Sequence, residues 1–266
     1  MRTSVLILFC FTIFLSSCSE YQKVLKSEDQ AAKYAFADSL YKVGKYKRAL
    51  PLIEQLVPIY RGKPQGEKLM YLYASTYYNL EDYYLAGYQY ERFETSYPKS
   101  DSAKMASFKA AKSYYQLSPR YSLDQKETNK ALDKLQEFIN RYPNSENRVE
   151  ANELVAELTT KLEKKQFETA EQYLHIEDYK AAINAFENFI TDNPGSAYRK
   201  DAFYKRFESA YYLALKSFPS LQRERFESAK DYYKSFLKYY ADTPDRAEGD
   251  IIIEDINKRL ELLPTS

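Results

Sequence analysis

Phe93-Glu-Thr-Ser-Tyr-Pro98-Lys-Ser100 is one copy of a frame, F-x-x-x-x-P-x-S, that returns at Phe138 to Ser145 and at Phe189 to Ser196. Each copy follows an alanine twelve residues before its proline: Ala86, Ala131 and Ala182. An aromatic near the end of an amphipathic helix packs inward, proline prevents the helix from continuing, and serine can cap the helix that follows. A fourth copy at Phe236 to Thr243 carries Ala241 for proline and Thr243 for serine. Recurrence of this kind means stacked helical pairs, each burying the face its neighbour leaves open. The expected fold is all-α, an α-solenoid of about five helix pairs with a C-terminal capping helix.

The aligned alanines Ala49, Ala86, Ala131, Ala182 and Ala229 give periods of 37, 45, 51 and 47 residues. Ser27-Glu-Asp-Gln30 has the form of a capping box, which starts a first helix running to about Val43. In the third unit Phe108, Ala111 and Tyr115 fit the first helix, and the extra residues before Ala131 fall in Ser118-Pro-Arg-Tyr-Ser-Leu-Asp-Gln125, an inserted loop. From about Glu146 to His175 there is no proline or glycine, and apolar spacing persists through Val149, Leu154, Leu158, Leu162 and Phe167. One helix of about 45 Å, at about 1.5 Å per residue, is expected there. It would couple N-terminal repeats (27–145, about three pairs) to C-terminal repeats (146–266, about two pairs and the cap). The fifth pair is placed at 197–217 and 221–240, and the capping helix at 246–262.

Residues 1–17 read as a secretion signal: Arg2, an eleven-residue apolar run from Val5 to Leu15, then Ser16 and Ser17. A mature spanning helix needs about twenty residues. Leu15-Ser16-Ser17-Cys18 resembles the lipobox of bacterial lipoproteins, which implies a lipid-modified Cys18 as first mature residue and a tether over 18–26. The alternatives are an ordinary signal peptide cut nearby and a buried N-terminal helix, the latter opposed by the polar sequence that follows. Cys10 leaves with the signal, so the mature chain holds one cysteine and no internal disulfide. Two or more acyl chains would hold the body on a membrane that it does not cross. No cofactor is expected beyond that lipid.

The 249 residues from Cys18 onward are ample for a large core. Without Arg2 the 38 basic residues balance 38 acidic ones, which argues against a nucleic-acid partner. Twenty-eight tyrosines, no tryptophan and only six glycines point to many helices with aromatic contacts between them. Chemistry finds few parts. His175 is the only histidine, so neither a zinc site nor a triad with a histidine base can be assembled around it. Glu81-Asp82 and Glu177-Asp178 sit in repeat turns, and no phosphate-cradling glycine pattern exists. The chain is expected to be no enzyme, with no catalytic residue and no metal ligand.

Gly44-Lys-Tyr46-Lys-Arg-Ala49-Leu50 resembles the turn of a tetratricopeptide repeat, and Glu81-Asp-Tyr83-Tyr-Leu-Ala86 and Glu177-Asp-Tyr179-Lys-Ala-Ala182 are similar. Such a turn joins helix A to helix B, with tyrosine between them and alanines permitting close approach. The ordered set also resembles one family across the mature chain: the BamD family, also called ComL or YfiO, lipoproteins of the outer-membrane β-barrel assembly machinery. Carrying that resemblance are the loop Ser118 to Gln125, Phe138-Ile-Asn-Arg-Tyr-Pro-Asn-Ser145, Lys161-Leu-Glu-Lys-Lys165 leading into Tyr173 and Tyr179, and the start Cys18-Ser-Glu-Tyr-Gln-Lys-Val-Leu25. The closing proline is missing from the first unit, where Arg61 stands, and from the fifth.

The resemblance implies a non-catalytic adaptor, lipid-anchored to the outer membrane and facing the periplasm. Its C-terminal repeats would bind a BamA-like β-barrel insertase and its N-terminal repeats unfolded outer-membrane proteins. Spacing names a groove: Tyr34, Asp38 and Tyr41 share one face of the first helix A, and Tyr71, Ser75 and Tyr78, with Asn79 beside them, share one face of the second. These match positions that line the concave surface of peptide-binding relatives; the competing reading is plain packing against the next repeat. Arg199, Lys200, Tyr204 and Arg206 are candidates for the insertase interface, against a solvated charged face. Two other functions stay open: a periplasmic repeat scaffold for cell-envelope or division complexes, and a SusD-like nutrient-binding lipoprotein, for which the chain is short and lacks tryptophan.

Overall fold

The computed structural model describes residues 20–264. The signal segment, Cys18 and Cys10 lie outside them. All regular structure among the described residues is helical. The helices are α1 (residues 20–26), α2 (Gln30–Lys42), α3 (Tyr46–Tyr60), α4 (Gly66–Asn79), α5 (Tyr83–Ser96), α6 (Ala103–Gln116), α7 (Lys126–Arg141), α8 (Arg148–His175), α9 (Tyr179–Asp192), α10 (Arg199–Leu215), α11 (Pro219–Tyr240) and α12 (Asp245–Leu262). They form two compact units. Described residues up to Pro119, with Gln125–Val155, make the first; Arg120–Asp124, with those from Ala156 onward, make the second. The division falls inside α8 rather than at 145/146, and part of the inserted loop groups with the second unit.

Within the first unit α2 to α7 pack each on the next, and within the second α9 to α12 do the same. The pairs α2–α3, α4–α5, α6–α7 and α10–α11 follow, α8 meets α9 through Phe167 on Phe186 and Phe189, and α12 is the cap. The recurring frame explains the geometry. Phe93, Phe138, Phe189 and Phe236 are buried, and so are all five aligned alanines. A Cβ is the whole side chain there, so paired helices approach closely. Each frame helix then ends alike: the next backbone N–H, of Tyr97, Tyr142 or Asn193, reaches back to the carbonyl of Phe93, Phe138 or Phe189 at 2.8–3.0 Å. α3 has no closing proline, and it stops instead where Gly62 turns left-handed at φ 78° after Arg61.

Several local expectations shift. The frame serines do not cap the following helix. Ser100, Ser145 and Ser196 accept instead from the N–H two residues on, within the turn. Ser100 also donates to Glu67 at 2.6 Å and Ser196 to Glu163 at 2.8 Å, each 33 residues back. The inserted loop breaks this spacing in the middle repeat, where Lys104 stands at the place of Glu67. The first helix is capped by Asp29, whose carboxylate accepts from Ala31 and Ala32, rather than by a box at Ser27. Residues 20–26 are helical where a tether was expected. The Tyr21 hydroxyl donates to the Arg48 carbonyl, and the Lys33 ammonium to that of Leu25, so α1 is fastened to α2 and α3. On α8, Val149 is 68% exposed, and the buried line runs through Ala151, Leu158, Phe167 and Ala170. Small alanines carry the seam there, a signal that large apolar residues alone do not give.

The turns show one conserved geometry. Gly44 has φ 74°, and the matching Glu81 and Glu177 have φ 62° and 61°. Each glutamate is followed by an aspartate that caps a helix, Asp82 accepting from Leu85 and Asp178 from Ala181. The paired acids of these turns are therefore one helix cap and one strained residue, a structural pair.

Candidate functional site

In the first unit the A helices α2, α4 and α6 are joined side by side through the residues singled out by spacing. Tyr34, Asp38 and Tyr41 project from α2, and Tyr71, Ser75, Tyr78 and Asn79 from α4. Asp38 binds Lys42 on its own helix at 2.7 Å and Lys68 on α4 at 3.3 Å. Tyr41 meets Ser75 and Asn79, whose hydrogen bonding moderates the rise that burial imposes on its pKa. Ser75 is buried and shares a 2.9 Å hydrogen bond with the Tyr90 hydroxyl. Asn79 is exposed, and its amide also donates to the Ser75 carbonyl.

Every tyrosine of the set is half-buried and rests on another ring. Tyr34 lies 5.6 Å from Tyr60, Tyr41 5.2 Å from Tyr46, Tyr71 5.3 Å from Phe93, and Tyr78 5.5 Å from Tyr83. Each ring is held by these contacts and stays partly exposed, Tyr71 and Tyr78 both also meeting Tyr90. Packing thus pre-organises the face at little side-chain entropy cost on binding. Burial pushes the hydroxyls of Tyr34, Tyr41, Tyr71 and Tyr78 above the ordinary phenol range. They are neutral hydrogen-bonding groups at physiological pH.

Spacing missed the cationic end of this face. Lys109 on α6 lies 4.6 Å over the Tyr78 ring, and Lys112 pairs with Glu150 at 2.5 Å. Burial first, and then the Lys112 charge, holds Lys109 below the ordinary lysine value, whereas the Glu150 hydrogen bond raises Lys112. The signal for Lys112 was present: three residues before each turn stand Tyr41, Tyr78 and Tyr115, and the same register places Lys112 with Asp38 and Ser75. Along one column the face therefore runs from carboxylate through hydroxyl to ammonium.

The residues named for an insertase interface have other positions. Arg206 is 4% exposed; it pairs with Glu187 and lies 5.0 Å over Phe203 and 4.5 Å over Tyr232. Tyr204 is 8% exposed, packs on Phe236 and donates weakly to Glu248 at 3.4 Å. Both are interior to the second unit, so neither is available as an open contact surface, nor do they form a solvated charged face. Lys200 reaches Asp245 at 2.6 Å, and Arg199 stacks on Phe203 and Tyr239. Tyr211 donates to Asp255 at 2.8 Å, and burial followed by that bond pushes its hydroxyl up to about 12. Lys200, Tyr204 and Tyr211 thereby fasten the acidic side of α12 to α10.

His175 is exposed at the edge of a 400 Å³ cleft that also includes Tyr121, Lys165 and Glu171. Among the described residues no group of His, Cys, Asp and Glu is placed to hold a metal ion. Among them, too, no helix is long and apolar enough to cross a membrane.

BamD of Caulobacter vibrioides, an outer membrane protein assembly factor, is 27% identical over 125 residues, 47% of this chain and 41% of that protein. The chain thus matches less than half the length of that relative. Among solved structures, a MamA RS-1 ArsTM double mutant is similar at 15% identity and a TM-score of 0.36, over 79% of this chain and 97% of that one. A Podosopora anserina kinesin light chain protein of nearly identical TPR-like repeats gives 13% and 0.33, over 78% and 96%. At those scores the fold rests on the helix packing described above. The YfiO profile, described as an outer membrane lipoprotein, matches residues 26–220, which take in the whole tyrosine face. The chain belongs to the YfiO family of outer membrane lipoproteins.

Proposed function

We propose that this protein is a non-catalytic adaptor in outer-membrane β-barrel assembly, anchored through lipid on Cys18 and facing the periplasm. The second unit binds a BamA-like insertase, and the A-helix face of the first receives unfolded outer-membrane polypeptides. The observation that carries the second role is the run of half-buried, uncharged tyrosines from α2 to α4, ending at Lys109. An extended chain presents backbone carbonyls and alternating apolar side chains. Phenol hydroxyls and the Lys109 ammonium donate to the former, and ring faces cover the latter. Family membership and the assembly role named for the Caulobacter relative support the setting. With Tyr204 and Arg206 buried, the insertase contact belongs on the exposed parts of the second unit.

The test is a mild-detergent pull-down of tagged protein from native envelopes, with Cys18→Ala as control and mass spectrometry of the eluate. A barrel protein with periplasmic repeats is expected to dominate the wild-type eluate and to fall in the control. Recovery of division or cell-wall proteins without such a barrel would overturn the assignment.

A further inference from the structure

Repeat register relates α5 to α9 and α6 to α10, through Ala86 with Ala182 and Ser100 with Ser196, and α7 to α11 through Ala131 with Ala229. Tyr114 of the first unit then corresponds to Ala210 of the second, and Gly87 to Ile183. Tyr114 is the buried plug of its repeat. Its ring lies so close to α5 that a Cβ on Gly87 would stand 2.9 Å from it. Its hydroxyl donates to Glu91 at 3.0 Å, and the Lys130 ammonium lies 3.9 Å over the ring. In the second unit the side chain at this place ends at the Cβ of Ala210. A pocket of about 290 Å³ opens there among α9, α10 and α11.

The floor of this pocket is apolar, from Ile183, Ala210 and Leu213, and its rim carries Lys180, Arg225 and Tyr232. No carboxylate lines it. The residue matching Arg225 in the first unit is Glu127, so the charge at the rim is reversed. Arg225 donates to Ser217, a neutral partner, and forms no ion pair among the described residues.

We propose that this pocket is a docking site for one aromatic side chain of a partner protein, which Lys180 and Arg225 hold through an adjacent carboxylate. Three features agree on that occupant. The homologous slot is filled by a tyrosine of the chain itself. The volume lies at the small end of ligand pockets, roughly 300–1,000 Å³, and suits a side chain better than a cofactor. The rim is cationic and the floor apolar. The site belongs to the second unit and is independent of the tyrosine face on the first.

Methyl NMR of the full mature chain in detergent, titrated with 3-(4-hydroxyphenyl)propionate and with its neutral amide, tests the chemistry. The acid is expected to shift the Ile183 and Leu213 methyls, with the amide about tenfold weaker, as loss of a charge-assisted hydrogen bond implies. Lys180→Gln with Arg225→Gln should remove that difference. Equal binding of acid and amide, shifts that map elsewhere, or no shift at about 10 mM would overturn the proposal. A filled variant, Ile183→Gly with Ala210→Tyr, should keep its helical circular dichroism and lose binding; if it binds as before, the slot is wrong. In native membranes, p-benzoylphenylalanine placed at Ser228 should cross-link to a peptide with an aromatic beside Asp or Glu. A cross-link to a peptide lacking that pair, or no cross-link, counts against the site. Failure of the barrel pull-down would leave these readouts unchanged.

Discussion

The second unit contains an asymmetric ion pair. Arg206 is interior, and its Nε finds no hydrogen-bond partner, while its partner Glu187 is half exposed. Removing one member of a buried pair strands the other, whereas replacing a buried charge with an apolar group of similar volume costs little. The exposed residue is therefore the more damaging one to change. Glu187→Gln leaves a guanidinium desolvated and uncompensated; because water reaches the Glu187 side, the expected cost is about 2 kcal/mol, below the usual 3–5. Arg206→Met forfeits contacts with the Phe203 and Tyr232 rings, which a thioether partly replaces, for a cost of about 1 kcal/mol or less. At about 4 °C per kcal/mol, calorimetry should place Glu187→Gln about 8 °C and Arg206→Met no more than about 4 °C below wild type. The double variant should match Arg206→Met alone. If Arg206→Met proves the more destabilising, the pair is a net attraction and the reasoning fails.

The left-handed turns give a second prediction: Gly44→Ala should cost about 1 kcal/mol, while Glu81→Gly should gain up to about 1 kcal/mol, less what glycine loses in chain entropy. Urea denaturation of the two variants reads opposite signs. In the first unit the Lys42 hydrogen bond holds Asp38 below the usual carboxylate range. Its stabilisation is therefore fully present above the unfolded value of about 3.9 and is lost as pH falls through the lower folded value. The melting-temperature gap between wild type and Asp38→Asn should be open at pH 6 and close progressively below about pH 4. A Cβ on Gly249 would stand 2.3 Å from the Tyr233 ring, whose hydroxyl is held by Asp250 at 2.6 Å and by the Arg246 carbonyl. Gly249→Ala should cost about 1–3 kcal/mol and expose α12 to limited proteolysis before the rest of the unit.

The parts of the fold legible in the sequence were those fixed by short-range physics that repeats. A phenylalanine, a proline stop and an alanine contact recur at set distances, and that recurrence marks the helix pairs. Features governed by competition between adjacent candidates were not. Ser27 and Asp29 are both good capping residues, and only the path of the backbone picks Asp29. The groove set came together because i, i+4 and i+7 share a helix face whatever lies beyond it. Arg206 and Tyr204 misled because a long amphipathic side chain has the same sequence signature whether it meets water or the ring of a helix stacked later. The open slot at Ala210 becomes visible only when repeats are compared position by position, because an alanine there looks like one more close helix contact.

We propose above that the tyrosine face of α2 and α4 receives unfolded outer-membrane polypeptide. The most direct test is site-specific photo-cross-linking to a urea-unfolded β-barrel protein, with the probe at Asn79, exposed beside that face, and at Tyr84, 61% exposed on α5, as control. A strong adduct is expected from Asn79, little from Tyr84, and loss of the Asn79 adduct on Tyr71→Ala with Tyr78→Ala while helical content is retained. Equal adducts from the two positions, or an Asn79 adduct indifferent to those tyrosines, would contradict it.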